Sequence, residues 1–223
     1  MNLAVIPARA GSKGLKHKNV RVAGGKYLLT YAIECAIGSK LFDNIVVTSD
    51  GKDIVAIGEQ YPEVTGLLRS PSLGGDDVPL APVVRDALLY AETLFCKKFE
   101  TVCTLQPTSP LRTKKHVVEA YRDFASKGAD SLLSVKEEYH SLWEQDGVFV
   151  RKIRYAKVNR QKVKPYYVGN GAIFITKRDV LIKLEDRLGW EVVAYPMSER
   201  DSLDIHTAED LMLAEWYLQQ EEA

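Results

Sequence analysis

The sequence has few cysteines, no long apolar run and no excess of charge of either sign. Among its 223 residues, 30 Lys plus Arg balance 30 Asp plus Glu. A net charge of zero gives no general attraction to nucleic acid or to an acidic membrane surface, so any anion site must be local. No stretch approaches the ~20 apolar residues of a membrane-spanning helix, and no basic segment precedes a signal-peptide core. We therefore predict a cytoplasmic protein that binds neither nucleic acid nor membrane.

The cysteines do not suggest a disulfide framework or a metal site. Cys35, Cys96 and Cys103 are odd in number, lack CxxC spacing and lie in apolar patterns. We expect three buried free thiols, because an unpaired cysteine packs as a small hydrophobic residue.

Short β-branched runs alternate with amphipathic helical patterns along most of the chain. This order predicts an α/β fold with a mainly parallel sheet covered on both faces, whose ligands bind beyond the carboxyl ends of the strands. The predicted strands are Leu3–Pro7, Asn44–Thr48, Val64–Leu68, Thr101–Leu105, Ser131–Val135, Gly171–Thr176 and Glu191–Tyr195. The predicted helices are Tyr27–Ile37, Asp53–Gln60, Ala81–Phe95, Lys115–Ala125, Lys177–Leu188 and one that starts with a capping box at Thr207.

The alternation breaks between about residues 136 and 168, where charged residues and tyrosines are concentrated. A hairpin is predicted there from Trp143 to Tyr155, around Asp146-Gly147. We expect this segment to be a small excursion from the main sheet.

The loop after the first strand, at residues 7–19, is crowded with glycine and basic residues. Arg9, Lys13, Lys16 and Lys18 all lie in it. Backbone N–H groups of such a loop can surround a phosphate while the basic side chains neutralise its charge. The loop has neither the GxGxxG nor the Walker A spacing. It is therefore either a triphosphate site or a solvated basic turn.

Two prolines within four residues follow the fourth predicted strand, in the segment QPTSPLRT at 106–113. They favour a rigid, extended exit from the sheet. This exit places Gln106, Thr108, Ser109 and Arg112 near the sheet edge, where hydroxyls and an amide can hydrogen-bond a polyhydroxylated ligand. The alternative is a plain proline turn into the next helix.

Two polar segments occur later in the chain. Asn170 and Gly171 precede a buried strand, which by itself is typical of a turn. Asp201, Asp204 and His206 precede the last helix, and in an extended segment Asp204 and His206 project to the same face. Carboxylate oxygen on a loop suits Mg²⁺, whereas histidine is a poorer direct ligand for this ion. The alternative is capping of the helix by acidic residues.

Taken together, these segments resemble the acylneuraminate cytidylyltransferases, also called CMP-sialic acid synthetases, over essentially the whole chain. The related Kdo cytidylyltransferases have Ser-[Thr/Ser]-Arg-[Phe/Leu]-Pro-x-Lys-Pro in the first loop, whereas this chain has SKGLKHKN at 12–19. This difference favours the sialate branch. The matching stretches are IPARAGSKGLKHKN at 6–19, TSD at 48–50, LR at 68–69, LQPTSPLRT at 105–113, NGAI at 170–173 and DSLD at 201–204.

The resemblance implies a single Rossmann-like nucleotidyltransferase domain over residues 1–223. In the implied reaction, CTP and a nine-carbon 2-keto sugar acid give a CMP-sugar and pyrophosphate. The anomeric hydroxyl attacks the α-phosphorus in line, and the protein contributes mainly positioning and charge stabilisation. The resemblance also implies a homodimer, in which a dimerisation insertion at about 136–168 helps to close the partner's site.

The resemblance assigns roles to the matching positions. Lys18 and Arg9 would act as catalytic cations while pyrophosphate departs, and Asp204 would be the catalytic carboxylate that binds Mg²⁺, the cofactor. The nucleotide-binding residues would be Ala8, Arg9, Gly11, Ser12, Lys13, Asn19 and Arg69. The residues that hold the sugar acid would be Gln106, Thr108, Ser109, Asn170 and Gly171.

One departure from the family pattern concerns the acceptor. Val168 stands where members active on N-acetylneuraminate have an arginine that pairs with the sugar carboxylate. Arg160, Lys162 and Lys164 are candidate replacements. We therefore expect the acceptor to be a sialic acid relative, such as a legionaminate-type diamino sugar.

Two further departures concern the metal and the base. His206 replaces the second aspartate of the metal loop, which indicates a site with a single aspartate. Pro79-Leu80 replaces small hydroxyl residues, so a different nucleotide stays open as the donor. A Kdo-type or sugar phosphate acceptor also stays open, as does a catalytically silent nucleotide-binding protein.

Overall fold

The computed structural model describes residues 1–11, 14–75, 77–154 and 162–221. The strands in these ranges are β1 (Asn2–Pro7), β2 (Val22–Ala23), β3 (Lys26–Tyr27), β4 (Asn44–Ser49), β5 (Val64–Leu68), β6 (Thr101–Thr104), β7 (Ser131–Glu138), β8 (Leu142–Asp146), β9 (Phe149–Arg154), β10 (Tyr166–Lys177) and β11 (Val192–Pro196). The α-helices are α1 (Leu28–Ser39), α2 (Lys52–Gly58), α3 (Leu80–Phe95), α4 (Lys114–Lys127), α5 (Arg178–Leu184) and α6 (Ala208–Glu221). Short 3₁₀ helices span Lys18–Val20 and Pro71–Leu73.

Seven of these strands form the central sheet, in the order β11-β7-β10-β6-β1-β4-β5. Neighbouring strands are parallel except where β10 pairs antiparallel with β6 and β7. The predicted mainly parallel sheet is thus confirmed. After β1 the chain adds β4 and β5 on one side and then crosses to β6 on the other side. Such a reversal opens a crevice at the carboxyl ends of the two central strands.

Helices bury apolar residues against both faces of the sheet. On one face, Ile33 of α1 and Val117 of α4 are fully buried. On the other face, Leu88 of α3 and Leu181 of α5 are fully buried. Each such side chain stabilises the fold by about 1.5–3 kcal/mol relative to an exposed one. The loops at the carboxyl ends therefore stand on a rigid, doubly covered sheet.

β7 and β10 extend farther than the sequence predicted. β7 continues beyond Val135 to Glu138, and β10 begins at Tyr166, which pairs directly with Glu138. Because both faces of this two-stranded arm are accessible to water, it tolerates the charged residues that broke the predicted pattern. The predicted excursion at about 136–168 is therefore shorter at both ends.

The predicted hairpin consists of β8 and β9, which lie between β7 and β10 in the sequence. Asp146 pairs with Phe149 across a turn in which Gly147 has a φ of 62°, a conformation that glycine adopts without a steric penalty. Tyr155, the last residue of the predicted hairpin, lies outside the described residues. The role of this segment in dimerisation stays a prediction.

The helices match the sequence-based expectations except near their ends. The helix predicted over Lys177–Leu188 stops before Glu185, which adopts a left-handed conformation with a φ of 53°. The predicted capping box of α6 is present, because the N–H of Asp210 donates to Thr207 Oγ1 and the N–H of Thr207 donates to Asp210 Oδ2. None of the helices described is long and apolar enough to cross a bilayer.

The expectation of three buried thiols is wrong for one of them. Cys35 and Cys103 are buried, but Cys96 is exposed. It follows the last residue of α3 and caps that helix with a φ of 49°. The apolar pattern of the sequence therefore includes Cys96, although the buried face of α3 ends before this residue.

Candidate active site

A cavity of about 290 Å³ opens at the carboxyl ends of the strands, where β1 and β6 meet. Pro7 ends β1, Gln106 follows β6 and Arg69 follows β5, so three strands contribute to its wall. The predicted site residues that line it are Arg9, Lys18, Asn19, Arg69, Gln106, Thr108 and Asp204.

The loop after β1 brings cations to the cavity. Lys18 lies in a 3₁₀ helix, and its Nζ donates to the carbonyl oxygen of Ile205 at 2.7 Å. Asn19 Nδ2 donates to the carbonyl oxygen of Arg9 at 2.9 Å and so holds the loop together. Burial lowers the pKa of Lys18, and Arg9 lowers it further, whereas the nearby Asp204 carboxylate raises it. The Lys18 ammonium is therefore a partly desolvated charge beside a carboxylate.

Arg69 is a buried cation with a fixed position. Its guanidinium donates to the carbonyl oxygen of Thr48 at 3.2 Å and to Asp50 Oδ1 at 3.3 Å. The N–H of Ala10 also donates to Asp50 Oδ1, at 3.0 Å. Burial lowers the pKa of Arg69 and Asp50 opposes this effect. Asp50 thus connects the loop after β1 to the arginine that follows β5, a contact that the sequence motifs did not predict.

Asp204 and His206 line the cavity next to the basic loop. Asp204 Oδ2 is 2.9 Å from His206 Nε2. Asp204 Oδ1 is buried and has no hydrogen-bond partner in the part of the chain that the structure describes. Gly14 brings the basic loop close, because a Cβ there would lie 2.9 Å from the carbonyl oxygen of His206.

This carboxylate suits a hard cation. Mg²⁺ keeps several waters and is bound through one or two carboxylates together with phosphate oxygens, and the unpaired oxygen of Asp204 fits that requirement. The described residues contain no group of three or more metal-binding side chains. Asp201 is turned elsewhere, because its Oδ2 accepts from Ser198 Oγ at 2.7 Å. Asp204 supplies the carboxylate among the described residues that line the cavity, and the site with a single aspartate stays a prediction.

The segment after β6 contributes the next part of the wall. Gln106 Nε2 donates to the carbonyl oxygen of Gly171 at 2.9 Å, and the carbonyl oxygen of Thr108 accepts from the N–H of Ile205 at 2.9 Å. Gly171 has a φ of 74°, and a Cβ on it would lie 3.1 Å from Gln106 Nε2 and 3.2 Å from Asp204 Oδ2. Glycine is therefore needed where β10 approaches the site.

Several predicted site residues are not on the cavity wall. Ser109 is fully buried, and its hydroxyl has no partner among the residues described. Asn170 is 5% exposed and bonds to other protein groups. Ala8 is buried, whereas Gly11 is exposed to solvent. The predicted ligand contacts of these residues stay predictions. Ser12 and Lys13 lie outside the described residues.

Arg112 has a different environment from the one expected. The sequence placed it among ligand-binding groups, but it is 3% exposed, and its NH1 donates to the carbonyl oxygens of Gln106 and Ala172 at 3.0 and 2.8 Å. It therefore joins the segment after β6 to β10 and acts within the protein.

The cavity wall also has an apolar part, of which sequence reasoning singled out Leu80 alone. It consists of Leu73, Val78, Leu80 and Val83, at the start of α3 and just before it. Leu73 and Val78 precede α3 and give no periodic signal, whereas Leu80 and Val83 lie in α3. Only the folded chain brings the four together. An apolar surface of this kind can pack against a flat ring.

Val168 lies on the β7–β10 arm, directly opposite Lys136. Residues paired in this way project to the same face of a sheet. Lys136 Nζ is 3.1 Å from Glu199 Oε1, and the Glu199 side chain is 79% exposed. A cation is therefore present beside the position at which the family pattern has arginine. The candidate replacement Arg160 lies outside the described residues.

The fold and the cavity define the class of protein. An open α/β sheet with a cationic crevice at its switch point is typical of proteins that bind nucleotides or similar anions. The Cytidylyltransferase family model matches residues 3–202. The chain therefore belongs to the cytidylyltransferase family, which confirms the resemblance drawn from the motifs.

Curated relatives agree with this assignment. The post-translational flagellin modification protein B of Campylobacter coli is 32% identical over 98% of this chain and 95% of that protein. The CMP-N,N'-diacetyllegionaminic acid synthase of Legionella pneumophila is 33% identical over 96% of this chain and 94% of that protein. The N-acylneuraminate cytidylyltransferase of Escherichia coli is 32% identical over 95% of this chain, which spans 51% of that protein.

A solved structure shows the same fold. The CMP:2-keto-3-deoxy-manno-octonic acid synthetase complexed with CTP has a TM-score of 0.69 and 16% sequence identity, over 99% of both chains. At this identity the likeness concerns the architecture of the sheet and its helices.

Proposed function

We propose that this protein transfers CMP from CTP to a nonulosonic acid and releases pyrophosphate. The observation that carries the proposal is the convergence of Arg9, Lys18 and Arg69 with Asp204 around one cavity. A triphosphate requires cations for its oxygens and a carboxylate for its accompanying metal ion. The relatives named for legionaminic and N-acylneuraminic acid activation support an acid acceptor.

The residues of the cavity would act mainly by positioning and by neutralising charge. Lys18 would stabilise the negative charge that develops as pyrophosphate leaves, because its ammonium is partly desolvated and therefore interacts strongly. Arg69 would hold a fixed positive charge without reorganising, since Thr48 and Asp50 already orient it. Bound Mg²⁺, held by Asp204, would supply Lewis-acid stabilisation at the phosphate oxygens.

The test is an assay of pyrophosphate release with each nucleoside triphosphate, Mg²⁺ and a panel of acceptors. The panel contains nonulosonic acids, Kdo and sugar 1-phosphates, and the product mass identifies both base and acceptor. We expect release with CTP and a nonulosonic acid. Release only with a sugar phosphate or with another triphosphate would reject the proposal. Nucleotide binding by calorimetry without pyrophosphate release would indicate a silent nucleotide-binding homologue, and no binding of any nucleotide would also reject the proposal.

We further propose a sialic acid relative of the legionaminate type as the acceptor, with Lys136 in place of the missing arginine. The support is Val168 opposite Lys136, together with the relative named as a legionaminic acid synthase. Lys136→Ala should raise the KM for the acid and leave the KM for CTP unchanged. Lys164→Ala tests a rival candidate replacement, and a raised KM for the acid in that variant alone would reject the assignment to Lys136.

We propose a homodimer in which the β8–β9 hairpin meets the partner subunit. The support is the exposure of apolar residues on this ribbon, since Trp143 is 51%, Phe149 76% and Ile153 58% exposed. An isolated two-stranded ribbon is marginally stable in water, and exposed apolar patches commonly mark protein interfaces.

We propose the cytoplasm as the place of action. The buried free thiols of Cys35 and Cys103 suit a reducing compartment. Fractionation of cells that express the protein tests this proposal, and recovery with membranes or outside the cell would contradict it.

A further inference from the structure

The amide of Asn170 is fully used inside the protein. Its Oδ1 accepts from Ser134 Oγ at 2.5 Å and from the N–H of Ala172 at 3.2 Å. Its Nδ2 donates to Ser202 Oγ at 2.9 Å and lies 3.5 Å from Met197 Sδ. A side-chain amide has two donor hydrogens and two acceptor lone pairs. With four protein partners and 5% exposure, both ends of the amide are bonded within the protein.

The neighbouring residues form an irregularity in the ladder between β7 and β10. The register of the two strands shifts between Gly169 and Phe174, and Gly171 has a φ of 74°. Within this stretch the N–H of Ile173 donates to Ser134 Oγ at 2.7 Å. Side chains thus satisfy backbone groups that have lost their ladder partners. In the bulge, side chains therefore accept from the N–H groups of Ala172 and Ile173.

The bulge is connected to the loop that contains Asp204. Asn170 binds Ser202, two residues before Asp204. On the far side of the carboxylate, the N–H of Ile205 donates at 2.9 Å to a carbonyl of the segment after β6. A Cβ on Gly171 would lie 3.2 Å from Asp204 Oδ2, so the carboxylate rests against the bulge. The residues on both sides of Asp204 are therefore held by hydrogen bonds: Ser202 by Asn170, and Ile205 by Thr108 and Lys18.

We propose that Asn170 is a positioning residue that aims Asp204 into the cavity through its bond to Ser202. A carboxylate held in place before the reaction need not reorganise when a cation and phosphate bind. The role of Asp204 towards a metal rests on the proposed function. The attachment of the loop does not depend on it and can be measured without catalysis.

The first test is hydrogen exchange of the ligand-free protein over residues 198–206. Ser202→Ala removes the bond between bulge and loop, while Ser134→Ala removes the bond within the sheet and leaves the loop attached. We expect Ser202→Ala and Asn170→Ala to speed exchange of the loop amides roughly fivefold to tenfold, the equivalent of one hydrogen bond. Ser134→Ala should leave them near the wild-type rate. Equal loop exchange in all three variants and the wild type would overturn the proposal.

The second test separates positioning from substrate contact. If Asn170 acts through Asp204, Asn170→Ala and Ser202→Ala should both raise the Mg²⁺ concentration needed for half-maximal rate, with an almost unchanged KM for the sugar acid. A rise in that KM for Asn170→Ala alone, with normal Mg²⁺ dependence, would assign it to the substrate and reject the proposal. If Asn170→Ala does not fold, the comparison of the two serine variants decides. If the wild type shows no activity with CTP and nonulosonic acids, the proposed function is rejected. The exchange data would still test the positioning role.

Discussion

Lys18 Nζ donates a hydrogen bond to the carbonyl oxygen of Ile205 at 2.7 Å, although the two residues are 187 positions apart. This bond joins the basic loop after β1 to the loop that contains Asp204. The ammonium is therefore held next to the only predicted metal-binding carboxylate. For a triphosphate bound at this cavity, the Lys18 ammonium would neutralise charge directly and Asp204 would hold the accompanying metal ion.

Lys18→Ala should lower turnover far more than nucleotide binding. We expect kcat to fall by roughly a hundredfold to a thousandfold, as for the loss of a preorganised charge at a transition state, with little change in the KM for CTP. Steady-state kinetics measures both quantities. Losses of similar size in binding and turnover would contradict a specific role of Lys18 in the transition state.

The pH dependence should reveal the desolvated ammonium. Burial lowers the pKa of Lys18 below its ordinary value of 10.5. The active ammonium is present below the lowered pKa and is lost as the pH rises through it. The kcat/KM of the free enzyme should therefore decline on the alkaline side below pH 10.5. In Lys18→Arg this decline should move to higher pH, because a guanidinium stays charged. An identical alkaline limb in both proteins would contradict the assignment.

Asp204→Asn should weaken the response to Mg²⁺. An amide oxygen is a neutral and weaker ligand, so the Mg²⁺ concentration for half-maximal rate should rise at least tenfold, about the effect of removing even an outer partner of a metal ligand. Titration of the rate with Mg²⁺ measures this change. Asp201→Asn is the control, because that side chain bonds to Ser198. The metal assignment fails if the two variants respond alike.

Gly171→Ala and Gly128→Ala form a matched pair. Both glycines have positive φ, 74° and 64°, but a Cβ would meet neighbours at Gly171 and open space at Gly128. Each variant should lose about 1–2 kcal/mol of stability from backbone strain, measured by denaturant unfolding. Only Gly171→Ala should also lose activity, by roughly tenfold to a hundredfold, because Gln106 and Asp204 must move. Equal activity in the two variants would show that this contact does not matter to the site.

The hairpin can be tested by sedimentation velocity. Trp143→Ala combined with Phe149→Ala should shift the protein from dimer to monomer, because both side chains are exposed on the ribbon. Trp216→Ala is the control, since this tryptophan is 54% exposed but lies on α6. A double variant that stays dimeric would place the interface elsewhere, and a monomeric wild type would remove the dimer proposal.

The sequence by itself determined the order of strands and helices and the position of the basic loop. The alternation of short apolar runs with helical periodicity is local, and it predicted Val64–Leu68 with the bounds that the structure has. The motif around Asp204 was equally visible, because a loop rich in acids before a helix differs from its surroundings. The extension of β7 to Glu138 was not predicted, because the charged residues of a solvent-exposed arm lack the apolar pattern of a buried strand.

Only the tertiary structure decided which of the polar residues face the cavity. Asn170 and Arg112 are polar residue types that often bind ligands. Both are buried, however, and form hydrogen bonds with backbone or side-chain groups of distant segments. Their partners come from β7, β10 and the Asp204 loop, and no local pattern specifies these pairings. Whether a polar side chain meets a ligand or the protein depends on long-range packing, because a buried amide or guanidinium must find its hydrogen bonds wherever the folded chain places them.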